Sequence, residues 1–140
     1  MIRPILTLVL ALSLPAAAMA GDPRRDAVLA EYAAQAKKGD PTFTAFSAQR
    51  GETLFRAQWA GAADPRATSC TSCHTNDPKQ PGQNAKTGRP INPVAVSINS
   101  KRFTDISETE KQFGRDCKTV IGRECTATEK GDYITFMAGQ

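Results

Sequence analysis

The sequence is poor in histidine, in aromatic residues and in long apolar runs. It has one histidine, so a site that needs two histidine ligands is excluded. Aromatic residues make up 6% of the chain, and its 18 basic residues are scattered rather than interleaved with aromatic ones, which excludes the usual pattern of a nucleic-acid-binding protein. After residue 20 no apolar run is long enough to cross a membrane, so we expect no stable membrane insertion.

Residues 70–74, C-T-S-C-H, carry the most specific chemistry in the chain. The thiols of Cys70 and Cys73 are three positions apart and can each form a thioether with a haem vinyl group, and His74 then lies under the iron as an axial ligand. The alternatives are a zinc site, which needs two more ligands from the other cysteines, and a redox-active thiol pair, which favours a βαβ context. No βαβ pattern is present, so we predict one covalently bound haem c.

The first 20 residues have the form of a secretory signal peptide. Arg3 gives a basic start, an apolar stretch begins at Pro4, and a small-x-small sequence ends at Ala20. The strongly apolar core has only about ten residues, which is short for a membrane span. We therefore expect cleavage after Ala20 and a periplasmic protein, with an uncleaved membrane anchor as the alternative.

Capping signals and apolar spacing predict four helices and no convincing strand, so we expect an all-α fold. The second helix carries Gly51, Leu54, Phe55 and Trp59 on one apolar face, and Gly51 marks a place where another helix could approach closely. The predicted N-caps are Asp22, Ser47, either Asp105 or Ser107, and Thr126.

The segment 75–100 contains six prolines and glycines and shows no sustained periodicity, so we predict a long loop. Wrapping of the haem edge is the role we expect for it, and disorder is the alternative. We divide the exported chain into an N-terminal helical extension at residues 21–46 and a monohaem domain at residues 47–140. A domain of this size has a limited core, which a buried haem would enlarge.

The remaining cysteines, Cys117 and Cys125, are eight positions apart. In the oxidising compartment implied by export a disulfide between them can persist, and the alternative is two free thiols. A disulfide that closes so short a loop stabilises a protein by about 2 to 3 kcal/mol in the chain-entropy model.

The single histidine also excludes a haem with two histidine ligands, so the sixth position on the iron needs another residue or stays open. Met1 and Met19 would leave with the signal peptide, and Met137 lies inside the last predicted helix. A helix interior rarely lets a side chain reach across a haem face. We therefore assign Met137 to the core, with iron ligation as the alternative.

Several further motifs resemble a small branch of class I c-type cytochromes, the branch of the sphaeroides haem protein and cytochrome c″. They are T-N-D-P at 75–78, T-G-R at 87–89, I-N-P at 91–93, K-R-F-T-D at 101–105, and D-C-x7-C at 116–125. The resemblance covers about residues 47–140. It implies the class I cytochrome c fold, with the N-terminal helix as an addition, and a disulfide between Cys117 and Cys125. It also implies a sixth iron ligand just before Cys117 that leaves the iron on reduction.

Asp116 occupies that position, where these relatives have asparagine or histidine. A carboxylate is a hard anionic ligand that suits ferric iron better than ferrous iron. We therefore expect Asp116 to bind or closely cap ferric iron and to release it on reduction. The alternative is an aspartate that is merely solvated beside Arg115 and Lys118.

The same motifs supply candidates for the rest of the haem pocket. Arg102 and Phe103 belong to the R-F-T-D motif, and we expect both to line the pocket. A ligating histidine usually donates its second ring N–H to a fixed acceptor. We expect the backbone carbonyl of Pro93 to accept that hydrogen bond from His74.

The expected function is electron exchange with a redox partner, combined with opening of the sixth site on reduction to bind a diatomic molecule such as O2, NO or CO. The resemblance implies a dihaem cytochrome c or a membrane cytochrome b as the partner. A haem enzyme that reduces peroxide, oxygen or nitric oxide, with Asp116 as proton shuttle, is one alternative. A ligand sensor and a plain electron carrier are the others, although a plain carrier would keep six strong ligands.

Overall fold

The described part of the chain contains five helices and one pair of two-residue strands, joined by loops and turns. This computed structural model describes residues 21–140, so the predicted signal peptide lies outside the described residues. The helices are α1 (Pro23–Gly39), α2 (Ala48–Arg56), α3 (Thr71–His74), α4 (Ile106–Val120) and α5 (Ala127–Ala138). This helical architecture confirms the all-α prediction. Over residues 21–140, no helix combines the length and the apolarity that crossing a bilayer requires.

Side-chain caps fix where the long helices begin. Asp22, Ser47 and Thr126 each accept a hydrogen bond from a backbone N–H in the first turn of α1, α2 and α5, as the sequence predicted. For α4 the cap is Asp105, whose carboxylate accepts from the N–H three residues later at 2.9 Å. The other candidate, Ser107, lies inside the helix.

The α2–α5 packing forms the centre of the fold. Gly51 lies directly against the backbone carbonyl of Asp132 on α5, so a larger residue has no space there. Phe55 is fully buried, and its ring lies 5.8 Å from that of Phe136. The prediction that Trp59 shares this helical face was wrong. Because α2 ends at Arg56, Trp59 follows the helix, and its backbone N–H bonds to the carbonyl of Thr68 at 2.7 Å.

A buried carboxylate ties the start of α2 to α5. Asp132 accepts hydrogen bonds from the backbone N–H of Ser47 at 2.6 Å and from Arg50 at 2.6 and 2.8 Å. Its side chain is only 5% exposed, so the negative charge depends on these donors.

The N-terminal helix α1 packs against α5 through Val28, Tyr32 and Ala36, all of which are buried. The ring of Tyr32 meets Phe113 of α4 edge-on, with 6.3 Å between the ring centroids. Arg25 is also buried on this face, although it is charged. The helix is therefore an integral layer of the fold.

The segment 75–100 contains a short hairpin that the sequence did not predict. Strand β1 (Gly82–Gln83) pairs antiparallel with β2 (Pro90–Ile91), and two residues per strand are too few to show alternation. Gly82 packs directly on the carbonyl of Cys73, where a side chain would collide with the backbone. The hairpin is thus seated against the C-T-S-C-H motif.

Glu129→Gln should lower the free energy of unfolding at neutral pH by about 1 kcal/mol. Arg123 donates hydrogen bonds of 2.6 and 2.8 Å to this carboxylate and lowers the pKa of Glu129 below its ordinary 4.5. A carboxylate whose pKa is lower in the folded state stabilises the fold above its unfolded pKa, and this contribution is lost as the pH falls through the folded pKa. In urea unfolding, the difference between the variant and the unaltered protein should therefore shrink below pH 4.5.

Glu124→Gln provides the control, because Glu124 is 76% exposed and pairs only with Lys118 on the surface. Its effect should be small at every pH. If Glu129→Gln lowered the free energy of unfolding by the same amount at about pH 3 as at about pH 7, the pairing with Arg123 would not be the source of the effect.

Candidate haem site

The C-T-S-C-H motif forms a single helical turn, α3, which holds its two thiols and its imidazole on one short element. The backbone N–H groups of Cys73 and His74 both bond to the carbonyl of Cys70, at 3.2 and 3.0 Å. The buried Ser69 anchors the start of the turn, because its hydroxyl donates to the carbonyl of Phe55 at 3.2 Å. In the described part of the chain neither Cys70 nor Cys73 is in a disulfide, so both thiols are available.

His74 and Asp116 approach the same cavity from α3 and α4. The cavity measures about 30 Å³, and its remaining lining residues are Arg102, Phe103, Thr109, Gln112, Phe113 and Tyr133. A larger cavity of about 250 Å³ shares Arg102, Phe103, Thr109 and Gln112 with it. We call the two cavities together the cleft.

The ionisation of these side chains suits a covalently attached haem. Burial, followed by the positive charge of Arg102, lowers the pKa of His74 to about 4, so at neutral pH the imidazole is in the uncharged form that binds metals. Burial, followed by the charge of Asp116, raises the pKa of the Cys70 thiol to about 12. Two free thiols and a neutral imidazole on one turn are the donor set that haem c requires, so the residues fit the group.

The zinc alternative fails on the same geometry. It needs four ligands, with Cys117 and Cys125 as the third and fourth, but these two cysteines are joined in a disulfide at the end of α4. The disulfide is the one that the sequence predicted. It fixes the backbone beside Asp116.

Asp116 lines the cleft but is half-exposed, and its carboxylate is paired with its neighbour. Arg115 donates to the two carboxylate oxygens at 2.7 and 3.3 Å. Lys118 pairs instead with Glu124 at 3.0 Å. The carboxylate of Asp116 therefore pairs with Arg115, which is not a lining residue, and shares the cleft lining with the imidazole of His74.

Arg102 and Phe103 form one wall of the cleft. The Arg102 guanidinium lies 4.9 Å from the centroid of the Phe103 ring. Among the described residues, the buried Nε of Arg102 has no hydrogen-bond partner. Phe103 itself has a φ of 59°, a left-handed conformation that is strained for an aromatic residue.

Sequence reasoning singled out neither Tyr133 nor Phe113 as a pocket residue, and the structure places both in the cleft lining. Burial, followed by the charge of Cys70, strongly raises the pKa of Tyr133, so its hydroxyl stays protonated. The spacing of Tyr133 on α5 indicates only that it is buried. Neither residue lies near the C-T-S-C-H motif in sequence, so no local signal could have identified them.

Two other candidates lie elsewhere. Met137 is fully buried in the core cluster and is absent from the cleft lining over residues 21–140. Pro93 is half-buried at the end of the loop, next to the buried Val94. Its hydrogen bond with His74 stays a prediction.

Two free thiols and a half-buried neutral histidine on one turn of a helical fold are the haem attachment site of a c-type cytochrome. The chain belongs to the family described as "Domain of unknown function (DUF1924)", whose model matches residues 41–137. It is 41% identical to the cytochrome c-type protein SHP of Cereibacter sphaeroides over 133 residues, which cover 95% of this chain and 97% of that protein. It is 35% identical to cytochrome c″ of Methylophilus methylotrophus over 107 residues, or 76% of this chain and 74% of that protein.

Solved structures of the same two proteins match the fold. Oxidised SHP, described as an oxygen-binding cytochrome c, aligns with a TM-score of 0.74 and 39% identity over 83% of this chain and 96% of that chain. Oxidised cytochrome c″ aligns with a TM-score of 0.74 and 30% identity over 84% of this chain and 95% of that chain. These matches confirm the predicted branch and the class I cytochrome c fold. The chain accordingly carries one covalently bound haem c.

Proposed function

We propose that this chain is an exported electron-exchanging cytochrome that opens a coordination site when it is reduced and then binds a small diatomic molecule. The observation that carries the proposal is that His74 and Asp116 line one cavity from different helices. One side chain is a neutral imidazole, a strong ligand in both redox states. The other is a carboxylate, which favours only the ferric state.

Haem, when bound, supplies a redox-active iron with a proximal and a distal coordination position. In our assignment Cys70 and Cys73 would attach the group covalently, and His74 would hold the proximal position. Asp116 would bind or cap the distal position in the ferric protein and would leave it on reduction. The released carboxylate would be stabilised by Arg115, which already donates hydrogen bonds to both of its oxygens.

The walls of the cleft suit a small uncharged ligand. Phe103, Phe113 and Tyr133 supply aromatic surface, and the protonated Tyr133 hydroxyl is a hydrogen-bond donor within the same lining. The relative SHP is described as oxygen binding, and the solution structure of cytochrome c″ is described in terms of haem-ligand detachment. Both descriptions support the same proposal for this chain, with O2, NO or CO as the ligand.

We place the protein in the periplasm, with a dihaem cytochrome c or a membrane cytochrome b as its redox partner. Support for export comes from the form of residues 1–20 and from the disulfide, which persists in an oxidising compartment. Loss of Arg3 with residues 1–20 lowers the formal net charge from +4 to +3, and this remaining excess of basic residues favours a partner with an acidic surface.

Optical spectra of the purified protein test the proposal. The dithionite-reduced protein should have a high-spin ferrous spectrum and take up carbon monoxide at once, because a carboxylate holds ferrous iron poorly. Asp116→Ala should change the ferric spectrum, while the reduced protein still binds carbon monoxide.

Glu124→Ala is the matched control, because it removes one exposed negative charge close to the same disulfide without touching the cleft. It should leave both spectra unchanged. A low-spin ferrous spectrum that ignores carbon monoxide would instead identify a plain electron carrier with a strong sixth ligand. Catalytic turnover of peroxide would favour the enzyme alternative.

A further inference from the structure

Arg25 is a buried charge with no acidic partner among the described residues. The side chain belongs to α1 and is only 6% exposed. Its Nε donates to the carbonyl of Arg102 at 3.1 Å, and its Nη2 donates to the carbonyl of Ser100 at 2.6 Å. Burying a guanidinium against carbonyls alone is costly, so an apolar residue would serve packing better at this position.

The two carbonyls belong to the loop that leads into Arg102 and Phe103, the two residues that form the wall of the cleft. The carbonyl of Arg102 is part of the peptide plane that precedes Phe103, and the orientation of this plane determines φ at Phe103. That φ is 59°, a left-handed conformation that is strained for an aromatic residue. The hydrogen bond from Arg25 holds the plane in the orientation that the strained residue requires.

The side chains of the wall depend on this backbone conformation. It places the Phe103 ring 6.4 Å from Phe113 and 6.0 Å from Tyr133, centroid to centroid. It also places the Arg102 guanidinium over the Phe103 ring, 4.9 Å from its centroid. A contact from α1, 77 residues away in sequence, thus fixes the cation that lines the cleft.

We propose that Arg25 is a positioning residue that holds the Arg102 guanidinium and the Phe103 ring in place as the wall of the haem cleft. The proposal rests on the haem site of the proposed function but not on the release of Asp116. A cation at this wall favours the reduced haem, because reduction lowers the positive charge of the iron. Arg102 should therefore raise the reduction potential, and Arg25 should act on the potential through Arg102.

The test is a double-mutant cycle on the reduction potential of the haem-loaded protein. Arg102→Gln should lower the potential. Arg25→Lys keeps the positive charge but loses the planar fork that holds two carbonyls, so it should lower the potential by part of the same shift. In the Arg102→Gln background, Arg25→Lys should produce no further shift.

Arg24→Lys is the control, because Arg24 is the neighbouring residue on α1, is 64% exposed and, within residues 21–140, forms an ion pair only with Asp22. It should leave the potential unchanged. If Arg25→Lys shifts the potential equally in both backgrounds, or lowers the melting temperature without moving the potential, the positioning role is overturned. Carbon monoxide binding by the reduced protein reports separately on Asp116, so the two proposals can fail independently.

Discussion

Replacing Cys70 and Cys73 together with serine should free the haem from the polypeptide. Serine hydroxyls form no thioether with a haem vinyl group, so the only link that survives denaturation is lost. Extraction with acidified acetone should leave haem with the unaltered protein and remove it completely from the double variant. The mass of the polypeptide should fall by one haem, apart from the two substitutions.

A double replacement of Cys117 and Cys125 with serine is the matched control. It also removes two sulfur atoms from the chain, but these belong to the disulfide beside α4. The haem should remain covalently attached, and the free energy of unfolding should fall by about 2 to 3 kcal/mol. Loss of haem from this variant, or its retention by the other, would contradict the assignment of the thiols.

Gly51→Ala should destabilise the protein by about 3 kcal/mol and lower its melting temperature by about 10 °C. The added methyl group would collide with the backbone carbonyl of Asp132 and with Cβ of Phe136, so α2 would have to move away from α5. A backbone carbonyl within a helix cannot yield as a flexible side chain does. Thermal unfolding followed by circular dichroism measures the effect.

Gly114→Ala in α4 is the corresponding control, because nothing lies within 4 Å of the position that its Cβ would take. There the higher helix propensity of alanine should stabilise the protein by about 1 kcal/mol. Similar effects of the two substitutions would show that close packing of α2 on α5 contributes little.

The features that the sequence predicted best depend on interactions between residues that are close together in the chain. Asp22, Ser47 and Thr126 cap helices because a short polar side chain reaches the first turn, an interaction that involves only neighbouring residues. Gly51 was correctly identified as a place of close approach. Trp59 was misassigned because helical spacing continues past the point where α2 stops and the chain turns to meet Thr68.

Long-range contacts account for what was missed. Arg25 resembles an ordinary surface charge of an amphipathic helix, and its carbonyl partners lie 75 and 77 residues away. One signal was present, because Arg25 shares the helical spacing of Val28, Tyr32 and Ala36, the buried face of α1. The ion pair of Asp132 with Arg50 is equally non-local, because the two residues are 82 positions apart in the sequence.

The disulfide between α4 and α5 also bears on how this small protein keeps two kinds of cysteine apart during its assembly. Cys117 and Cys125 are 5% and 8% exposed, whereas Cys70 and Cys73 remain partly accessible on α3. A reductant that keeps Cys70 and Cys73 as free thiols therefore has little access to the sulfur atoms of the disulfide, because thiol exchange requires access to sulfur. Burial thereby allows one compartment to keep one pair oxidised while the other pair stays reduced and available for thioether formation with its cofactor.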